Sequence, residues 1–336
     1  MDQFINENID PKLAEFYDKH YTVLNGDLLN DKKYTYLGNK ETKVCRFCGK
    51  DEFNGATFKK LAHAFPESIG NRCLATYYEC DKCNEKFGKT IENDYANYMK
   101  FYHSISGIHG KKKIPEFISN DNKSKSVWVD DKYILTDTNE HCHCLIKGNS
   151  ILYQSTVPTH TPMAVFKCFV KMAISVMPEN NLKQFAKTIE WICNKKHENI
   201  FENKKLLCRY EMIPGYTIEY PCYFLYQRKG PKSLAIYPYM IFHLTYGNFS
   251  YMIEVPTQED LHQSIDKIKF PPIPFKSSSA GILDLTSNKP VSDLQQTMLF
   301  HFDSSEEISI EHLPEKVKNA KKYADKIIQS YQLWPT

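Results

Sequence analysis

Two short motifs, Cys45-Arg-Phe-Cys48 and Cys80-Asp-Lys-Cys83, place four thiols in two tight knuckles. Four thiolates suit the tetrahedral preference of Zn²⁺, and a closed site of this kind holds a small domain together. The 31 residues between Cys48 and Cys80 are more than an ordinary zinc ribbon needs. They contain "LAHAFPESIGN", residues 61–71, where His63 is followed by Pro66 and the pair Gly70–Asn71. An imidazole titrates near working pH, so a His in such a loop is suited to taking a proton from water. Blander uses stand beside this one. His63 can prop the knuckle loop by a hydrogen bond, Gly70–Asn71 is a common turn pair, and Asn84 can cap a helix.

The elements around these residues follow one order. "FKKLAHAFPES" reads as a strand carrying the His. "GNRCLATYYECDKCNEKFGKTIENDYANYM" then gives a loop, a short strand through Ala75–Glu79, and a helix beginning near Asp81. With "CRFCGK", "AHAFPESIGN" and "ECDKCNEKFGKTIE", this arrangement resembles the HNH endonucleases, whose unit is the ββα-metal finger, in the variety that keeps both Cys pairs. The resemblance covers roughly residues 43–105. It implies a metal-dependent hydrolase of DNA phosphodiester bonds with His63 as general base and Asn71 fixing the loop and orienting the His. It also implies a catalytic Mg²⁺ or Mn²⁺, with His63 and Asn84 as candidate ligands. Many members place an acidic ligand directly before the His, and this chain has Ala62 there. Glu67 and Glu92 are the candidates to replace it. Glu92 lies eight residues beyond Asn84, about 80° round an ideal helix. Ala62 also keeps a second reading open, a non-catalytic zinc-stabilised nucleic-acid-binding module.

The overall net charge of +3 says little, but its distribution says more. Residues 43–113 carry 13 Lys or Arg against 8 Asp or Glu, whereas the remainder carries 30 against 32. A basic segment that coincides with the Cys-rich one points to a phosphate-bearing partner. Arg72, Lys82 and the run Lys111, Lys112, Lys113 are the candidate nucleic-acid contacts, and each also reads as part of a solvated face. Eleven cysteines behind an acidic start without an apolar signal core imply reduced thiols, a metal site and a cytoplasmic setting. No apolar run is long enough to span a membrane.

The fold expected is α+β: a zinc-stabilised ββα-metal finger over 43–115, preceded by a helical lead-in over 1–42 and followed by a larger α+β domain over 127–336. In that domain "VWVDDKYILTDTNEHCHCLIKGNSILYQS" reads as two or three strands, with "KGNS" as a hairpin turn. "PMAVFKCFVKMAISVM", bounded by Pro162 and Pro178, reads as a helix, as does "ENNLKQFAKTIEWICNKK". Residues 205–256 are β in character, Thr257 begins a capped helix, and "LPEKVKNAKKYADKIIQSYQLW" reads as a last one. "EHCHC" at 140–144 alternates like a strand and has no second knuckle to share a metal with. No catalytic motif stands out in the larger domain. Specificity, sensing or oligomerisation is the role left to it, with a homodimer or a partner sensor protein as the assembly. By analogy with restriction and phage-defence effectors, such a domain would gate the nuclease.

Overall fold

The computed structural model describes residues 11–30, 33–120, 122, 124–129, 132–137, 144–147, 150–201, 204–212, 218–230, 237–257, 260, 271 and 279–301. The chain divides into two compact units. The first gathers residues 1–96, 108–113 and 160–290, and the second 97–107, 114–159 and 291–336. The fold is α+β throughout, with the zinc-knuckle finger near the N-terminus.

The finger is a small three-stranded sheet and a helix. Strand β2 (Thr35–Leu37) runs parallel to β4 (Leu74–Thr76), and β3 (Ala62–His63) pairs antiparallel on the other side of β4. Strand β4 is shorter than the sequence pattern suggests, because the chain turns after Thr76 to bring Glu79 inside and Cys80 into the second knuckle. Helix α2 (Asp81–Lys89) starts there, and the backbone N–H groups of Lys59 and Lys60 hydrogen-bond to the Asp81 carboxylate. These bonds tie the His-bearing loop to the start of the helix.

The finger is not a separate body from the elements that follow. A six-stranded antiparallel sheet, in the order β1 (Tyr21–Leu28), β11 (Ile218–Arg228), β12 (Met240–Gly247), β13 (Phe249–Glu254), β10 (Leu207–Met212), β14 (Ser279–Asp284), forms the core of the same unit. Strands β12 and β13 are buried along their whole length, which explains their unbroken runs of large residues. Helix α1 (Pro11–His20) lays Tyr17 on one face, with Tyr226, Ile241 and Met252. On the other face Phe65 of the finger meets Tyr223 and Phe242 edge-on. The segment expected as a lead-in thus supplies an edge strand of the main sheet.

Helix α4 (Pro162–Val176) is bounded as its prolines suggest and is buried from Met163 to Val176. Its C-terminal carbonyls are capped from elsewhere. Arg46 of the first knuckle donates from one guanidinium nitrogen to the oxygens of Ile174, Ser175 and Met177 at 2.9, 3.1 and 2.7 Å. Asn25 donates to Val176 O at 2.7 Å. A cation at a helix C-terminus opposes the macrodipole there. The next helix expected is broken into two, α5 (Glu179–Leu182) and α6 (Ala186–Cys193), by a 3₁₀ turn at Lys183–Phe185.

The second unit holds the C-terminal part of α3 (Ile91–Ile105) and two three-stranded sheets. One runs β5 (Phe117–Ile118), β6 (Ser124–Val129), β7 (Lys132–Asp137). The other runs β15 (Gln295–His301), β9 (Ser150–Thr156), β8 (Cys144–Lys147). The expected hairpin at "KGNS" joins β8 to β9. Phe101 packs edge-on to Phe117 and lies 5.0 Å from Tyr153. His141 to His143, the body of the helix after Thr257 and the last helix expected lie outside the described residues.

Candidate active site

The four knuckle thiols converge. The Sγ atoms of Cys45, Cys48, Cys80 and Cys83 all lie within 4.8 Å of one another, and Cys48 and Cys80 are 3.8 Å apart. A tetrahedron with Zn–S bonds of about 2.3 Å has edges of about 3.8 Å, so the set fits zinc. The thiols do not share charge evenly on their own. A hydrogen bond from Cys83 holds Cys45 down at about 5, while burial pushes Cys80 up to about 11. Holding all four as thiolates calls for a dication. Among the described residues this is the one group of three or more His, Cys, Asp or Glu close enough to share an ion.

His63 sits at the end of β3, opposite Ala75. Its side chain is 29% exposed, enough for solvent to reach the ring. Nε2 lies 3.9 Å from Glu67 Oε1, and Lys111 Nζ lies 3.5 Å from the other oxygen of Glu67. Nδ1 is buried and has no hydrogen-bond partner among the described residues. Burial lowers the imidazole pKa below its usual value, Glu67 opposes that, and Lys171 and Lys111 add to the lowering. The ring is therefore neutral at neutral pH and can accept a proton.

The loop after His63 is held by Asn71, which is fully buried. Its amide donates to Phe65 O at 2.9 Å and Leu74 O at 3.1 Å, and its oxygen accepts from Leu74 N–H at 3.0 Å. One side chain therefore closes the strand–loop–strand turn from within. Gly70 before it has φ +88°, which ends the 3₁₀ turn over Glu67–Ile69 and needs a residue without a Cβ.

From below, Lys171 of α4 enters the finger. Its ammonium is completely buried, 3.0 Å from Glu79 Oε2 and 3.0 Å from Glu92 Oε1. It also donates to His63 O at 3.1 Å and Ala64 O at 3.4 Å. Burial works against its charge, but Glu79 and Glu92 outweigh burial and raise its pKa. Burial pushes Glu79 up to about 7 against the pull of Lys171. Glu92, expected beside a catalytic ion, is thus engaged by an internal ammonium. A carboxylate so neutralised is a poor ligand for a hard dication.

Asn84 lies in the first turn of α2 and is half-buried. Arg72, Lys82, Lys111, Lys112 and Lys113 are exposed, and Lys111 is tied to the His63 loop through Glu67. Motif reading passed over Lys171, Glu79 and Arg46. A signal was present for the first: Lys167 and Lys171 stand one turn apart inside an apolar helix, and a buried lysine requires partners. Lys167 finds Asn194 O at 2.9 Å and the Trp191 ring at 4.8 Å.

A sulfur-clamped finger thus presents a half-buried imidazole on its sheet. The model of the HNH endonuclease family matches residues 45–99, which include both knuckles, His63, Asn71 and Asn84. This segment is an HNH domain. No curated protein and no solved structure matches the chain.

Proposed function

We propose that the chain is a metal-dependent endonuclease that hydrolyses DNA phosphodiester bonds at His63. The observation that carries the reading is a neutral, solvent-reachable imidazole in a loop locked by Asn71, inside the segment that matches the HNH family. His63 accepts a proton from water, the oxygen attacks phosphorus, the P–O3′ bond breaks, and the leaving oxygen takes up a proton from solvent. The Glu67 carboxylate beside the ring offers oxygen donors of the kind Mg²⁺ and Mn²⁺ prefer, and these ions usually keep several waters and take one or two carboxylates plus substrate phosphate. Glu67 and Asn84 are the residues that would hold the ion. Once bound, it would polarise the phosphate and stabilise the leaving oxygen. Arg72, Lys82 and Lys111 to Lys113 contribute phosphate contacts, with Lys111 nearest the chemistry.

Lys171 and Arg46 join the finger to helix α4, and Phe65 joins it to the main sheet, which supports a gated effector, such as a restriction or phage-defence nuclease acting in the cytoplasm. A homodimer or sequential nicks would complete a double-strand cut, since one finger supplies one site, and a sensor partner would serve the gating. The test is cleavage of labelled DNA and RNA by the full chain with added Mg²⁺ or Mn²⁺. Metal-dependent cleavage of DNA supports the reading, and cleavage of RNA alone changes the substrate. Tight DNA binding with no cleavage under either ion favours the non-catalytic binding module, to which Ala62 points.

A further inference from the structure

Tyr36 and Tyr77 stack with ring centroids 5.7 Å apart and planes 16° apart. The register sets them beside the imidazole. Tyr36 on β2 and His63 on β3 both pair with Ala75 of β4, and directly opposed residues project to the same side of a sheet. Tyr77, just past the end of β4, donates its backbone N–H to Leu37 O at 2.8 Å and shares that side because its ring stacks on Tyr36. His63, Tyr36 and Tyr77 therefore occupy one face, with Tyr36 two strand spacings, about 10 Å, from His63. The residue between them, Ala75, is itself buried under its larger neighbours.

Tyr36 is 48% exposed although its ring is held by Tyr77, and β2 is an edge strand. Lys33 and Lys40 flank this strand, Arg72 precedes β4, and all three are exposed. Among the described residues flanking the strand, Glu41 beside Lys40 is the opposing charge. A rigid, half-open aromatic pair among cations is the chemistry that receives a nucleobase with its phosphates.

We propose that the Tyr36–Tyr77 pair is a stacking platform for an unpaired base of the strand cleaved at His63, so that the substrate is single-stranded or locally opened nucleic acid at the cleavage point. In an intact duplex the base faces are covered by their neighbours, and only an unpaired or extruded base can lie on a protein ring. The proposal rests on the nuclease reading for what happens next to the platform, but the stacking itself does not require catalysis.

The test uses the full chain carrying His63→Ala, which removes the base and leaves the platform. The probe is a short single-stranded oligonucleotide containing 2-aminopurine, compared with the same sequence as a duplex. Binding of the single strand should quench the fluorescence. Tyr36→Leu and Tyr77→Leu should each remove the quench and weaken single-strand binding about tenfold, with duplex binding changed little and zinc content unaltered. Tyr36→Phe should behave as its parent, because the ring acts and not the hydroxyl. Equal quenching and affinity in Tyr36→Leu overturns the platform, as does an equal loss on single strand and duplex. If the native chain cleaves DNA while Tyr36→Leu still quenches, the platform fails and the nuclease stands. If the platform quenches but the native chain cleaves nothing with Mg²⁺ or Mn²⁺, the nuclease reading fails and the platform stands.

Discussion

Lys171 donates a hydrogen bond to the backbone oxygen of His63 at 3.1 Å, from a helix more than a hundred residues further along the chain. The bond fixes the peptide that carries the imidazole, and the same ammonium lies 3.0 Å from both Glu79 and Glu92 beneath it. Replacing it with Met leaves two carboxylates unpaired, a loss of about 3–5 kcal/mol for a buried pair, partly relieved because Glu79 protonates readily. Lys171 lowers the His63 pKa while Glu92 raises it, so Lys171→Met moves the acid limb of cleavage to higher pH. Lys171→Arg keeps the charge and should keep the limb. Rate against pH for the two variants, with thermal melts alongside, checks this.

The zinc knuckles make a stability prediction. Cys80→Ser or Cys45→Ser should lower bound zinc below one ion per chain and unfold the finger, since closed sites of this kind supply folding energy outright. Elemental analysis and limited proteolysis of residues 45–99 read the two effects. A Cys80→Ser chain with full zinc content and an intact finger would contradict a four-sulfur site.

Asn71→Ala should cost about 1–3 kcal/mol, because Phe65 O and Leu74 N–H lose their buried partner while Leu74 O keeps only the Ala64 N–H. The melting temperature falls, and cleavage falls further than Tyr-flanked DNA binding does, because the loop that positions His63 loosens.

His243 offers a pH test away from the site. Burial on β12 drives its pKa down to about 3, and it bonds Ser250 Oγ of β13 at 2.7 Å. A folded pKa below the unfolded value of about 6.5 means its contribution is complete above that pH and is lost as pH falls toward 3. By pH 5 the native chain should have lost about 2 kcal/mol relative to His243→Gln, measured by urea unfolding at both pH values. An unchanged difference between pH 7 and pH 5 would contradict a neutral buried imidazole.

How much of this was legible beforehand depended on range. The knuckles, the His63 loop and α4 announce themselves by local spacing, by paired prolines and by the Gly70–Asn71 turn, so their positions follow from neighbours in the chain. The joining of the finger to the main sheet does not. Strand β1 pairs with β11, nearly two hundred residues away, and no local pattern encodes that partner. Glu92 looked available on its helix because Lys171, which takes it, lies on another element. The break at Lys183–Phe185 escaped because an apolar stripe survives a 3₁₀ turn.

The central claim is that the His63 imidazole takes the proton from the attacking water. Single-turnover cleavage of DNA by the native chain and by His63→Ala, followed from pH 5 to pH 8 with the divalent ion held saturating, tests it most directly. The native rate should rise with a midpoint below pH 6.5, the direction in which burial moves the ring, and the variant should be slower by about a hundredfold or more with that titration gone. A variant that cleaves at the native rate with the same pH profile would contradict the account.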